Sequence, residues 1–137
     1  MTATPTGDMP IVAEHEVTLD AIVRYAGASG DFTRIHWDAE EARSAGYDRF
    51  FAMGMLPAGW LSALLVDRFG QGSVRSFKVR FRSRTWIGER VRCEARTSGL
   101  DAAGHRLVEL RATDSTGELL VDGSAVVAES VPGIENA

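Results

Sequence analysis

Residues 55–69 (MLPAGWLSALLVDRF) constrain this chain more than any other stretch. Leu56, Trp60, Leu61, Leu64, Leu65 and Phe69 form a broad stripe at helical spacing, and Met55, Ala58, Ala63 and Val66 extend it nearly all round. A helix apolar on most sides has to be covered on most sides. The segment able to cover it follows directly. Phe77, Val79 and Phe81 alternate with Lys78, Arg80 and Arg82; Val91, Cys93 and Ala95 with Arg92, Glu94 and Arg96; Val108, Leu110 and Ala112 with Glu109, Arg111 and Thr113. Period two marks strands with one face toward a core, and residues 119–128 supply a fourth. Turn-forming residues separate the strands at 86–89, 100–104 and 115–117. The expectation is an α+β domain: four antiparallel strands, joined by short turns, covering one buried helix.

Ahead of that helix, residues 18–54 read as helical or irregular. Thr18 is a candidate N-cap for a helix through Leu19, Ile22, Val23, Tyr25 and Ala26, which Gly27, Ser29 and Gly30 should break. Asp38 should cap a second, short helix ended by Gly46. Residues 1–10 and those from about Ser130 read as tails, so one domain spans 1–137 with an ordered core of about 12–129. A chain of 137 residues can bury a core without disulfide or metal support. Cys93 is the sole cysteine, which rules out an intrachain disulfide and points to the cytoplasm. No cysteine–histidine spacing suggests a metal site. The N-terminus lacks a basic start followed by an apolar stretch, so no secretory signal is expected. No apolar run approaches the ~20 residues that span a bilayer. A net charge of −4 argues against nucleic acid as the main partner.

The chemically unusual stretch is residues 25–59, YAGASGDFTRIHWDAEEARSAGYDRFFAMGMLPAG. Asp31 and His36 lie five residues apart behind a glycine-rich entrance. A carboxylate and an imidazole held close together can share a water, one removing a proton while the other donates one. Gly54 stands at the start of the buried helix, where unpaired N–H groups carry partial positive charge. Such an N–H suits a thioester carbonyl that becomes an enolate when C2 gains or loses a proton. The bland reading is that Asp31 caps a turn, His36 satisfies a backbone carbonyl, and Gly54 merely starts a helix.

These residues resemble a known family. The MaoC-like (R)-specific enoyl thioester hydratases and dehydratases carry a block close to Y-A-x-x-S-G-D-x-N-P-I-H-x-D, then A-H-G-M-L and a hydrophobic helix. This chain reads Y-A-G-A-S-G-D-F-T-R-I-H-W-D, then A-M-G-M-L-P-A-G. The strand segment FKVRF and the following Ile87-Gly88-Glu89 are also similar, so the resemblance covers roughly residues 15–128. It implies a hot-dog fold, an antiparallel sheet wrapped around a central helix. It implies that Asp31 and His36 are the catalytic pair and that the Gly54 N–H polarises the thioester carbonyl. It places Ser62 near the site; Trp60 and the apolar residues of the helix, with Met53, are expected to line part of the substrate pocket. The implied substrates are trans-2-enoyl thioesters of coenzyme A or acyl carrier protein, hydrated to (R)-3-hydroxy products, with no metal or redox cofactor. Members are homodimers or heterodimers whose sheets run across the interface; nucleic acid and membrane are not implied partners.

The sequence departs from the pattern twice. Phe32-Thr33-Arg34 replaces x-Asn-Pro, so Thr33 is expected to hold the catalytic loop less firmly. Met53 replaces a common His and makes the pocket wall softer and more apolar. Several alternatives stay open at this level: a non-catalytic or partner-dependent subunit of a heteromeric dehydratase, or a dehydratase of an unusual polyketide intermediate. A hot-dog thioesterase is disfavoured, because the central helix carries only Asp67, near its end. Arg75, Lys78, Arg80, Arg82 and Arg84 form either the solvated face of a strand or a contact for coenzyme A phosphates or an acidic carrier. His15 and His105 read as solvated, and Cys93 as a buried small hydrophobe.

Overall fold

The computed structural model describes residues 9–128, so the two terminal stretches read as tails fall, except for residues 9 and 10, outside the described residues. The elements in chain order are β1 (Ile11–Glu16), α1 (Leu19–Ser29), a 3₁₀ turn (Arg34–His36), α2 (Ala39–Ser44), β2 (Phe51–Ala52), α3 (Met55–Phe69), β3 (Val74–Phe81), β4 (Thr85–Trp86), β5 (Arg90–Leu100), β6 (Arg106–Thr113) and β7 (Leu119–Val127). The large sheet has the order β1-β5-β6-β7-β3, antiparallel throughout.

All four expected strands form. Two features differ from the sequence reading. β3 does not neighbour β5, which follows it; it crosses to the far edge and pairs with β7, so only β5, β6 and β7 are joined by short turns. A fifth strand, β1, occupies the other edge, with Ile11 opposite Ala95 and Glu16 opposite Arg90. Its alternation is short and acidic (IVAEHE), and only the partner strand fixes it as extended. A two-stranded ribbon, β2 with β4, lies outside the large sheet.

The sheet curls around α3, which packs against all five of its strands. Leu61 and Leu65 of α3 are fully buried, in one core cluster with Val91, Leu110, Leu120 and Val121 of the sheet. Cutting Leu61 back to Ala would cost about 2–5 kcal/mol. The helix is not apolar-covered all round: Met55 and Ala63 are exposed, and Met55 lies at the end that opens onto the site. β7 approaches β3 so closely at Gly123 that a Cβ there would overlap the Lys78 carbonyl.

α1 begins where Thr18 Oγ1 accepts from the Ala21 N–H at 3.0 Å, a cap of about 1 kcal/mol. Gly27 does not break it. The helix continues to Ser29 and stops at Gly30, whose φ of +77° lets its N–H reach back to the Ala26 carbonyl. α2 starts under the Asp38 carboxylate, which accepts from the Glu40 and Glu41 N–H groups, and turns off at Ala45-Gly46. Among the described residues no helix is long and apolar enough to cross a membrane.

Candidate active site

The segment between α1 and α3 lies over the start of α3 and brings Asp31, His36 and Gly54 to one cleft. The cleft has a volume of about 300 Å³, and Tyr25, Ser29, Met53, Met55 and Phe81 complete its lining. His36 is largely shielded, with 14% of its side chain exposed, whereas Asp31 keeps 42%.

His36 is fixed by its far nitrogen. Nδ1 lies 2.9 Å from the Phe51 carbonyl oxygen, which can only accept. Nδ1 therefore carries the proton, and in the neutral ring Nε2 holds the free lone pair. The Phe51 ring meets the imidazole edge-on at 5.4 Å. Nε2 faces Asp31 Oδ2 at 3.8 Å. That is too long for a direct hydrogen bond, and right for one water donating to both acceptors.

Asp31 is held by its other oxygen. Oδ1 accepts from the Thr33 hydroxyl at 2.6 Å and the Thr33 N–H at 3.2 Å. These bonds, with a smaller contribution from His36, draw the carboxyl pKa below its ordinary value against a modest desolvation effect. Ser29 Oγ accepts from the Asp31 N–H at 3.1 Å. Thr33 does hold the loop, its hydroxyl and its own N–H both reaching Asp31 Oδ1. Arg34 turns outward, its Nε and Nη2 donating to Asp38 Oδ2 at 3.1 and 2.6 Å. The turn-cap and carbonyl-pairing roles of the bland reading are both present, on Oδ1 and Nδ1. Oδ2 and Nε2 are left facing each other.

Gly54 supplies the third part. Its N–H has no acceptor among the described residues. A Cβ at this position would come within 3.0 Å of the Phe81 ring, which lies across the helix start and is 56% exposed. His36, Gly54 and Phe81 also border a second cavity of about 310 Å³, lined on its far side by Arg82, Ser83 and Arg84. Arg82 is neutralised by Asp122, with contacts of 2.9 and 3.2 Å. Arg84 donates to the Tyr47 hydroxyl at 2.8 Å and lies over the Tyr47 and Phe51 rings, with no carboxylate partner among the described residues.

The other expected residues divide. Met53 is buried in the core and contributes to the cleft wall. Ser62 lies further along α3, half-buried, and lines neither cavity beside His36. Trp60 does not line those cavities either; it walls a neighbouring crevice and stacks on His15 at 4.5 Å with the rings 6° from parallel. His15 is therefore half-buried rather than solvated, and burial lowers its pKa. Cys93 is buried as expected, its thiol pushed up to about 12 by desolvation. Tyr25, Ser29 and Phe81 are site residues that the sequence reading did not single out. Phe81 alternates with polar neighbours as a core residue would, and only the end of β3 over the helix start puts it on the cleft.

Comparison with known proteins gives the same family as the motif. A family model described as MaoC like domain matches residues 2–118. The mitochondrial 3-hydroxyacyl-[acyl-carrier-protein] dehydratase of Arabidopsis thaliana is 31% identical over 70 residues, 51% of this chain but 42% of that protein. The chain therefore aligns with less than half the length of that relative. Among solved structures, the (R)-hydratase from A. caviae involved in PHA biosynthesis superposes with a TM-score of 0.84 at 23% identity, covering 94% of this chain and all of that one. The ChsH1-ChsH2 complex from Mycobacterium tuberculosis has a TM-score of 0.79 at 16% identity, covering 91% of this chain and 98% of the matched chain. These likenesses establish the hot-dog fold, and the match across most of the chain establishes more: this protein belongs to the MaoC-like domain family.

Proposed function

We propose that the protein adds water across trans-2-enoyl thioesters of coenzyme A or acyl carrier protein to give (R)-3-hydroxyacyl thioesters, or runs the reverse dehydration. The observation that carries this reading is the 3.8 Å gap between Asp31 Oδ2 and His36 Nε2, in the same cleft as the unpaired Gly54 N–H. Neighbours named as an (R)-hydratase and a 3-hydroxyacyl-[acyl-carrier-protein] dehydratase support it.

In the hydration direction a water donates its hydrogens to Nε2 and Oδ2 and turns its oxygen toward C3. Nε2 takes one proton as the C3–O bond forms, and the electron pair of the double bond moves to the thioester oxygen. The Gly54 N–H stabilises that enolate, aided by the positive end of α3. The imidazolium then returns the proton to C2. Asp31, its pKa lowered by Thr33, is a poor proton donor and a good counter-charge for the imidazolium. The thioester itself acidifies C2, so this chemistry calls for no metal or redox cofactor.

We further propose that the working form is a dimer with a second hot-dog subunit, the same chain or a related one. Exposed Phe81 and Met55 flank the cleft, and a solved neighbour is named as a two-protein complex. The lone buried thiol suits a reducing, cytoplasmic setting.

The test is loss of the enoyl thioester absorbance of crotonyl-coenzyme A with wild type, Asp31→Asn and His36→Ala. Turnover by wild type and by neither variant supports the assignment. A folded, dimeric wild type inert toward crotonyl-, octenoyl- and decenoyl-coenzyme A overturns stand-alone hydration. Light scattering on the purified chain reads the assembly, and a monomer overturns the homodimer.

A further inference from the structure

The Phe51 carbonyl sets the ring of His36, and Phe51 itself is held more by side chains than by backbone. β2 and β4 pair at two positions, Phe51 with Trp86 and Ala52 with Thr85, and the Ile87 N–H adds one bond to the Phe50 carbonyl at 3.2 Å. A ribbon of that size is marginal on its backbone bonds alone. Aromatic contacts supply the rest. The Phe51 ring meets Tyr47 edge-on at 5.4 Å and Trp86 at 5.6 Å, and Tyr47 and Trp86 meet each other at 5.9 Å.

Two arginines tie one side of this ribbon to the other. Arg49, ahead of β2, donates to the Ile87 carbonyl at 2.9 Å and to Glu89 Oε1 at 3.1 Å, and its guanidinium lies over the Trp86 ring. Arg84, ahead of β4, reaches the opposite way. Its Nη2 donates to the Tyr47 hydroxyl at 2.8 Å, and its Cζ lies 4.7 Å from the centre of the Tyr47 ring and 5.4 Å from that of Phe51. Arg49 is answered by a carboxylate. Arg84 is answered by a phenol and two ring faces, which use the guanidinium as a flat, cationic plate.

From this geometry we propose that Arg84 and Tyr47 are positioning residues for His36: they fix the Phe51 ring, so that its carbonyl stays on Nδ1 and Nε2 keeps its lone pair. The inference rests on the hydratase reading for what Nε2 does with that lone pair. A carbonyl oxygen only accepts, so the nitrogen it faces is the one that carries the proton. A free neutral imidazole favours the other tautomer, with its proton on Nε2. Once the Phe51 carbonyl turns aside, the ring relaxes toward that form. Nε2 then offers a proton where the reaction needs a base, although the rest of the fold is unchanged.

The experiment is ¹⁵N NMR on histidine-labelled protein at a pH of about 9, above the ordinary histidine range. The chain has three histidines, and His36→Ala assigns the signals of His36. Wild type should show the proton on Nδ1. Arg84 is exposed, so Arg84→Met should fold; it and Tyr47→Leu should shift His36 toward the Nε2–H form. With crotonyl-coenzyme A, both should lower kcat roughly tenfold or more while KM stays within about twofold. Arg84→Lys, which keeps a cation over the rings, and Tyr47→Phe, which keeps the ring beneath the guanidinium, should recover most of the tautomer and of kcat. Arg75→Met removes the same charge at the other end of β3 and should change neither. A raised KM with kcat and tautomer unmoved would make Arg84 a substrate contact and overturn the proposal. A lower melting temperature with the Nδ1–H form intact overturns it as well. Should wild type turn over no enoyl thioester, the NMR comparison decides alone: a tautomer that shifts in Arg84→Met upholds the positioning although hydration has failed, and one that does not overturns it.

Discussion

Asp31 and His36 point one atom each at the other and spend the remaining atom on the loop around them. Oδ2 faces Nε2 at 3.8 Å, while Oδ1 takes two bonds from Thr33 and Nδ1 donates to Phe51. If the two groups work on one water, they fail as a unit. Asp31→Asn and His36→Ala should each lower kcat by roughly 10²–10⁴, and the double variant should be little worse than either alone. Multiplying losses in steady-state kinetics would show that they act separately.

Thr33 tunes Asp31, and the sign of its effect is fixed. Hydrogen bonds from Thr33 lower the folded-state pKa of the carboxyl below its value in the unfolded chain. The associated stabilisation is present above the unfolded pKa and is lost as pH falls through the folded one. Thr33→Val removes the hydroxyl bond and keeps the shape. The Asp31 carboxyl, followed by NMR titration, should then titrate at higher pH, toward the ordinary carboxylate range. An unmoved titration would mean that Thr33 does not hold it down.

Gly54 and Phe81 are in contact across the helix start. Gly54 has φ −58° and ψ −29°, so alanine suits the backbone there; the obstacle is the Phe81 ring, 3.0 Å from the added carbon. Gly54→Ala should leave the melting temperature nearly unchanged while reducing kcat/KM roughly ten- to a hundredfold, since both cavities meet at this point. A large drop in melting temperature would place the effect in folding instead.

Gly123 lies away from the site and should show the reverse pattern. A Cβ there overlaps the Lys78 carbonyl, so β3 must shift on β7 to admit it. Gly123→Ala should cost about 3 kcal/mol or more in urea unfolding. Any surviving folded protein should retain the Asp31–His36 chemistry.

Periodicity and motif made different parts of this molecule legible. The long helix, the four strands and the stretch that brings Asp31, His36 and Gly54 to one cleft were readable because each follows a local rule: a stripe at helical spacing, alternation at period two, and a carboxylate and imidazole ahead of a helix-start glycine. The parts that escaped depend on partners distant in sequence. β1 becomes a strand only through β5, and β3 reaches the far edge only because β7 accepts it. His15 looked polar and exposed until Trp60 of α3 covered it. Gly27 looked like a breaker, yet α1 runs past it because Ile22 and Ala26 are buried on the core side. The basic run also separates once partners are seen: Arg75 donates to the Gly72 carbonyl and Arg82 pairs with Asp122, while Arg84 alone of the five borders the His36 cavity without a carboxylate.

The ring of His36 hangs from Phe51, and Phe51 belongs to a ribbon of two residues on each side, paired with Thr85 and Trp86 rather than with the large sheet. The cooperative unit that holds the fold is the five-stranded sheet on α3; the unit that aims the imidazole is this small ribbon. Small units held by few backbone pairs open at lower free energy than the sheet they border. Warming or mild denaturant should therefore unhook the imidazole first, leaving a chain that keeps its shape and has already stopped working.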